Sequence, residues 1–193
     1  MSEKLSPRIL ITIIFLSFAG QLAWAVENQY YNVFMYNAIA PVPLYVSYMV
    51  AASAVVATIT SILIGALSDV KGKRKIFLLI GYTFWAITTA IFPFAGVLKP
   101  VIVAVTVAII FDCIMTFFGS TGYDATFNAY VTDVTTLSNR GKAVSIVQLM
   151  SLVATLITYG LSGFIITMFG YFFFFYFVGA LVGLFGITGA LLA

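Results

Sequence analysis

A chain of 193 residues that is 63% hydrophobic and only 8% charged, with a mean hydropathy of +1.14, is not a soluble domain, whose charged share is about 25%. The absence of histidine removes His-ligated metal and the Ser-His and Cys-His dyads of hydrolases, and a lone Cys113 rules out an intramolecular disulfide or cysteine cluster. No enzyme, cofactor or metal site is expected. The net charge of +3 does not point to nucleic acid, because the basic residues sit in short connections between apolar runs, where they act as topology signals.

Cut into runs of about 20 residues, the length that crosses a hydrocarbon core, the sequence yields six spans with little chain left over. Ser6 and Pro7 are a helix start, a hydroxyl cap followed by proline at the first turn. The first span then covers residues 8–39; it has no small-residue cleavage site and reads as a mature helix, not a signal peptide. At 1.5 Å per residue it is roughly 46 Å long, so its polar second half, ENQYYNVFMYNAI, must tilt, project outward or line water. Pro41 and Pro43 make the turn into a second span, 43–68, whose AASAVVATITS stretch suits close helix contact. After the loop SDVKGKRK come a third span, 76–97, a turn at Lys99 and Pro100, and a fourth span, 100–131. The fifth, 142–168, and sixth, 171–192, are parted by little more than Phe169 and Gly170.

Lys4, Arg8, Lys71, Lys73, Arg74, Lys75, Arg140 and Lys142 fall on one side of this arrangement and Lys99 alone on the other. That bias puts both termini in the cytoplasm. The expected fold is an all-α membrane protein, a single bundle over residues 1–193 with six transmembrane helices as a 3+3 inverted repeat. The sequence is still apolar at Ala193, from which a second six-helix half is expected, in the same polypeptide, as a separate chain or as a homodimer partner.

Of the acidic residues, Glu3, Asp69 and Asp133 lie at the cytoplasmic edge, whereas Glu27, Asp112 and Asp124 fall inside the first and fourth spans. A charge at bilayer depth costs at least about 2.5 kcal/mol, so such a group faces a cavity, takes a partner or binds a proton. No intramembrane Lys, Arg or His is available to neutralise Glu27 or Asp112, which marks them as candidates for proton coupling. On the fourth span Asp112, Thr116, Ser120, Asp124 and Asn128 recur every four residues, a polar stripe that suits a solute path. On the first, Trp24, Glu27, Asn28 and Tyr31 share a face by the same rule, with Gln21 a turn further in; an aromatic surface beside hydrogen-bonding groups is what a sugar-like ligand requires. For Thr116, Ser120, Gln21 and Gln148 simple interhelical hydrogen bonding is an equal alternative. Gly72-Lys73 is followed by Arg, with no strand before it, so the basic loop is not a nucleotide site.

GALSDVKGKRK, residues 65–75, resembles the signature between the second and third helices of the major facilitator superfamily, and SNRGKA, residues 138–143, its basic element between helices four and five. FAGQLAWAVENQYYNVFMY and YDATFNAYVTDVTTLSNRGKA resemble the glycoside-pentoside-hexuronide branch, the sugar:cation symporters. The resemblance implies a secondary transporter working by alternating access on a sugar or glycoside-like solute, in the plasma (inner) membrane, and the unneutralised carboxylates make H+ the expected coupling ion. The resemblance also implies a cytoplasmic gate of Asp69, Gly72, Arg74 and Arg140, with Gly65 at a tight helix contact, and places Tyr123 and Asp124 at the ligand. One departure is that the two helix-two carboxylates of melibiose-permease-type symporters are replaced here by Ala57 and Ser61, which argues against sodium at that site. A facilitative transporter, one with another substrate, and a non-transporting regulatory or scaffold half remain as alternatives.

Overall fold

The structure is a computed structural model that describes residues 5–193; Glu3 and Lys4, which entered the sequence reading, lie outside the described residues. Among these the chain is helical throughout, with no strand. Five helical segments are long and apolar enough to cross a membrane: α1 Pro7–Ile39, α2 Pro43–Lys71, α3 Arg74–Val97, α4 Val101–Asp133 and α5 Arg140–Leu192.

Local chemistry sets the ends. The Ser6 hydroxyl accepts the Ile9 N–H at 3.3 Å, with Pro7 in the first turn of α1. Helix α2 continues to Lys71 and stops where Gly72 turns left-handed at φ 61°, its N–H returning to the Ser68 carbonyl at 3.0 Å. The last turns of α3, Phe92–Val97, tighten into a 3-10 helix around Pro93.

The runs expected as two spans, 142–168 and 171–192, are the two arms of the α5 segment, parted at Gly170, which alone leaves the helical region at φ 81° and ψ 172°. A glycine takes that conformation without a Cβ penalty, so one residue does the work of a loop. The two arms fold back on each other: Ile157 and Thr158 share a small cavity with Phe174 and Val178, and with Leu22 and Val26 of α1. In a straight helix Ile157 and Val178 would lie about 30 Å apart.

Helix α1 is the central strut. Its length is matched by the second arm of α5, antiparallel to it: Phe34 meets Tyr171 and Tyr30 meets Phe174 at one end, Phe15 and Phe18 meet Phe185 further along, and Arg8 donates to the Leu192 carbonyl at 2.7 Å at the other. Helix α3 lies beside both, its Tyr82 hydroxyl donating to the Leu16 carbonyl at 2.7 Å. Helices α3 and α4 touch backbone to backbone at Gly81, where a Cβ would come within 2.5 Å of the Gly122 Cα. Helix α2 packs on α4 along one side only: Met49, Ser53, Thr60 and Ser68 are its buried residues, one narrow stripe, and Ala51, Ala54, Val55, Thr58 and Ile59 of the AASAVVATITS stretch are exposed.

Candidate functional site

The polar groups of α1, α2 and α4 converge where two helices depart from α geometry. Residues Glu27–Tyr31 of α1 and Ser120–Phe127 of α4 are π-helical, a wider winding that is frequent at functional sites. Between them the Thr116 hydroxyl donates to Glu27 Oε1 at 3.0 Å. Asp112, one turn back on α4 and 2% exposed, faces Glu27 and the Ser53 hydroxyl of α2. Its Oδ1 has no hydrogen-bond partner among the described residues, and neither has Asn32 Oδ1.

Both lie on a cavity of about 30 Å³, lined also by Glu27, Asn28 and Ser53. Glu27, Asn28, Val50 and Ser53 belong equally to a larger groove of about 160 Å³ that reaches Trp24, Thr116 and Ala57. Asn28 also lines, and Asn32 shares with the small cavity, an open basin of about 620 Å³ with Gln29, Tyr36, Asn37 and Ser47 on its walls. The three adjoin one another between α1 and α2 through shared lining residues, and α4 contributes Asp112 and Thr116 to the inner two. Two carboxylates, several amides and hydroxyls and the Trp24 ring line this groove, and no basic side chain does.

A second polar node lies further along the same seam. Asp124 accepts the Ser120 hydroxyl at 2.8 Å and faces Trp24, whose ring packs on Trp85 at 4.9 Å between centroids. Tyr123 Oη accepts from Gln21 Nε2 at 2.6 Å, and Gln21 Oε1 accepts from the Ser151 hydroxyl at 3.0 Å, so α1, α4 and α5 are tied through one amide.

At the end of the bundle that carries the basic loops, Arg74 gathers three groups. Its guanidinium meets Asp69 at 2.5 Å, Asp133 at 3.0 Å and the Ser68 hydroxyl at 2.6 Å, joining the end of α2 and the start of α3 to the end of α4. The Gly72 turn makes this possible by bringing α3 back beside Asp69.

The family model of the Major Facilitator Superfamily matches the chain over residues 9–193. The chain belongs to that superfamily. A search of curated proteins returned no match. As a superfamily member it is a transporter and an integral membrane protein, of a kind that binds small solutes within a lipid bilayer, and the superfamily is not an enzyme family.

Several side chains take places in this superfamily bundle that the sequence did not anticipate. Tyr31 does not join Glu27 on the groove. It is 1% exposed, stacks on Phe92 at 3.6 Å and meets Phe175 edge-on, because the π-helical turn winds it away from the α register on which a shared face was counted. The four-residue stripe on α4 is broken in the same way: Asp112, Thr116 and Ser120 are buried, but beyond the π-helical turn Asn128 is exposed and bonds only its own helix, at the Asp124 carbonyl. Gly65 is not at a tight contact, since a Cβ there would meet nothing within 4 Å. Arg140 does not reach Asp69; it donates to the Thr132 carbonyl and the Thr135 hydroxyl at 3.2 Å, closing the end of α4. Conversely Ser53, Asn32 and Asp133 were missed. Asp133 alone carried a signal, as the acidic residue just before the SNRGKA element.

Proposed function

We propose that the chain is a secondary active transporter, or half of one, in the sugar:cation symporter branch of the superfamily, moving a sugar or glycoside-like solute by alternating access with protons as the driving ion. In this reading α5 crosses the membrane twice, hinged at Gly170, giving six spans in a 3+3 inverted repeat with both termini cytoplasmic. The solute lies in the α1–α2 groove against Trp24, Asn28 and Thr116, and Glu27, Asp112 and Asp124 exchange the proton. Arg74, Asp69 and Asp133 close the cytoplasmic side.

The observation that carries this reading is the Glu27–Asp112 pair, two carboxylates on one cavity whose wall holds no basic side chain. Such a pair at bilayer depth is costly and is kept for ion or solute pathways. Ala57 lines the groove as an apolar residue, which supports a proton over sodium held on α2. A polar groove cannot face lipid along its open side, so a second six-helix half, in the same polypeptide, on a separate chain or from a second copy, closes it.

Uptake into proteoliposomes tests this. Labelled mono- and disaccharides, neutral and amino-substituted, are offered with and without an inward proton gradient, to the chain alone and with a second half. Gradient-stimulated uptake of one sugar that falls to background in the Glu27→Gln, Asp112→Asn double variant is the expected result. Uptake with unchanged pH dependence in that variant would remove the two carboxylates from the mechanism.

A further inference from the structure

The groove sorts its contacts by character. Its outer basin is lined by amides, a hydroxyl and the Tyr36 ring, groups that donate and accept hydrogen bonds and suit a hydroxylated ring. Its inner end is different. The cavity at Asp112 presents acceptors: the free Asp112 Oδ1, the free Asn32 Oδ1, and Glu27, whose Oε1 already accepts from Thr116. Asn32 commits one amide N–H to the Asn28 carbonyl at 2.8 Å and Asn28 commits one to the Trp24 carbonyl at 2.8 Å, which leaves Asn32 Oδ1 as the unpaired atom of its amide. A neutral hydroxyl placed there satisfies one acceptor, and an anion is repelled by both carboxylates.

We infer that the inner cavity is the subsite for a primary ammonium group, so that the solute taken by this groove is an amino sugar or comparable hydroxylated amine, bound by its ring in the outer basin and by its charged nitrogen between Glu27, Asp112 and Asn32. The inference rests on the reading of the groove as the solute site. Three N–H donors and a positive charge are complementary to three acceptors on one wall, two of them ionisable, in a cavity of about 30 Å³ that shares Glu27, Asn28 and Ser53 with the larger pocket beside it. Trp24 stands on the same path and adds a π-face for a passing cation. No three His, Cys, Asp or Glu side chains converge to hold a metal ion among the described residues, a donor set unsuited to a divalent occupant.

The test is direct binding. The full chain in nanodiscs is titrated with glucosamine, N-acetylglucosamine, glucose, gluconate, and sodium or lithium chloride against choline chloride, with the emission of Trp24 as readout and Trp24→Phe as blank. The expected result is that glucosamine binds at least about 10-fold more tightly than N-acetylglucosamine or glucose, as a charge-assisted bond requires, with gluconate weakest. Asp112→Asn, checked for helicity and monodispersity, brings glucosamine down to the glucose value. Equal affinity for glucosamine and its N-acetyl form overturns the inference, as does a saturable response to sodium or lithium alone that matches that of glucosamine. Proton-driven uptake of glucose with no preference for the amine would refute the ammonium subsite and leave the proposed transport standing; failure of every sugar to bind or move would refute both.

Discussion

Helix α1 has two sides with opposite chemistry, and the contrast explains how one helix serves as both strut and ligand surface. On the side facing α3 and α5, Tyr31, Phe34, Phe92, Phe174 and Phe175 form a closed aromatic seam, with every ring but Phe34 at most 1% exposed and centroids 3.6 to 5.6 Å apart. On the side facing α2 and α4, Trp24, Glu27, Asn28 and Asn32 look into a groove whose far wall, α2, is barely buried. Within lipid the hydrophobic effect does not press helices together, so rigidity has to come from close packing, and the aromatic seam supplies it. The groove side then needs no tight packing of its own, and polar groups there are positioned by the opposite face.

The contrast yields ordered tests. The largest effect is expected on the groove side: Glu27→Gln with Asp112→Asn should cut gradient-driven uptake to below about a tenth, measured as initial rates, because the coupling ion loses both carboxylates of the inner cavity. Thermal unfolding of that variant should move little; a large drop in Tm would mean the carboxylates are structural and the contrast false. Next, Phe175→Ala should destabilise the bundle by about 3–5 kcal/mol, read from Tm in detergent, because it opens a cavity among four rings. Gly170→Ala comes third. A Cβ at φ 81° and ψ 172° costs about 1–3 kcal/mol, and the readout is a lower Tm with unchanged glucosamine binding. The smallest effect belongs to Arg74→Ala, whose partners Asp69 and Asp133 are more than half exposed, so stability should change by about 1 kcal/mol or less while background leak of solute rises. A Phe175 variant that lost transport without losing stability would show that the aromatic side works as more than a brace.

Much of this was legible in the sequence, for a physical reason. Apolar run length, the Ser6–Pro7 start and the Gly72 stop are local signals, and local signals survive folding. Glu27 and Thr116 were each singled out in the sequence, but their meeting was not, since it depends on how α1 packs on α4. What failed were inferences that assumed uniform winding. Tyr31 and Asn128 were assigned by four-residue arithmetic, and both sit at or just past π-helical turns that no residue pattern announces, since such turns are held by tertiary contacts. Gly65 was assigned to a contact on the resemblance alone, and Asp133 was overlooked because its pairing depends on how the end of α4 approaches Arg74 across 59 residues.

The link through Gln21 has a sense of direction. Ser151 gives a hydrogen to the amide oxygen and the amide nitrogen gives one to Tyr123, so the three helices are threaded in one order, giver to receiver. A carboxylate at position 21 could only receive, and would leave Tyr123 to turn its own hydrogen inward and reverse the thread. A shift of α4 or α5 along α1 at this level has to break one of these two bonds, so a single side chain sets the register of three helices.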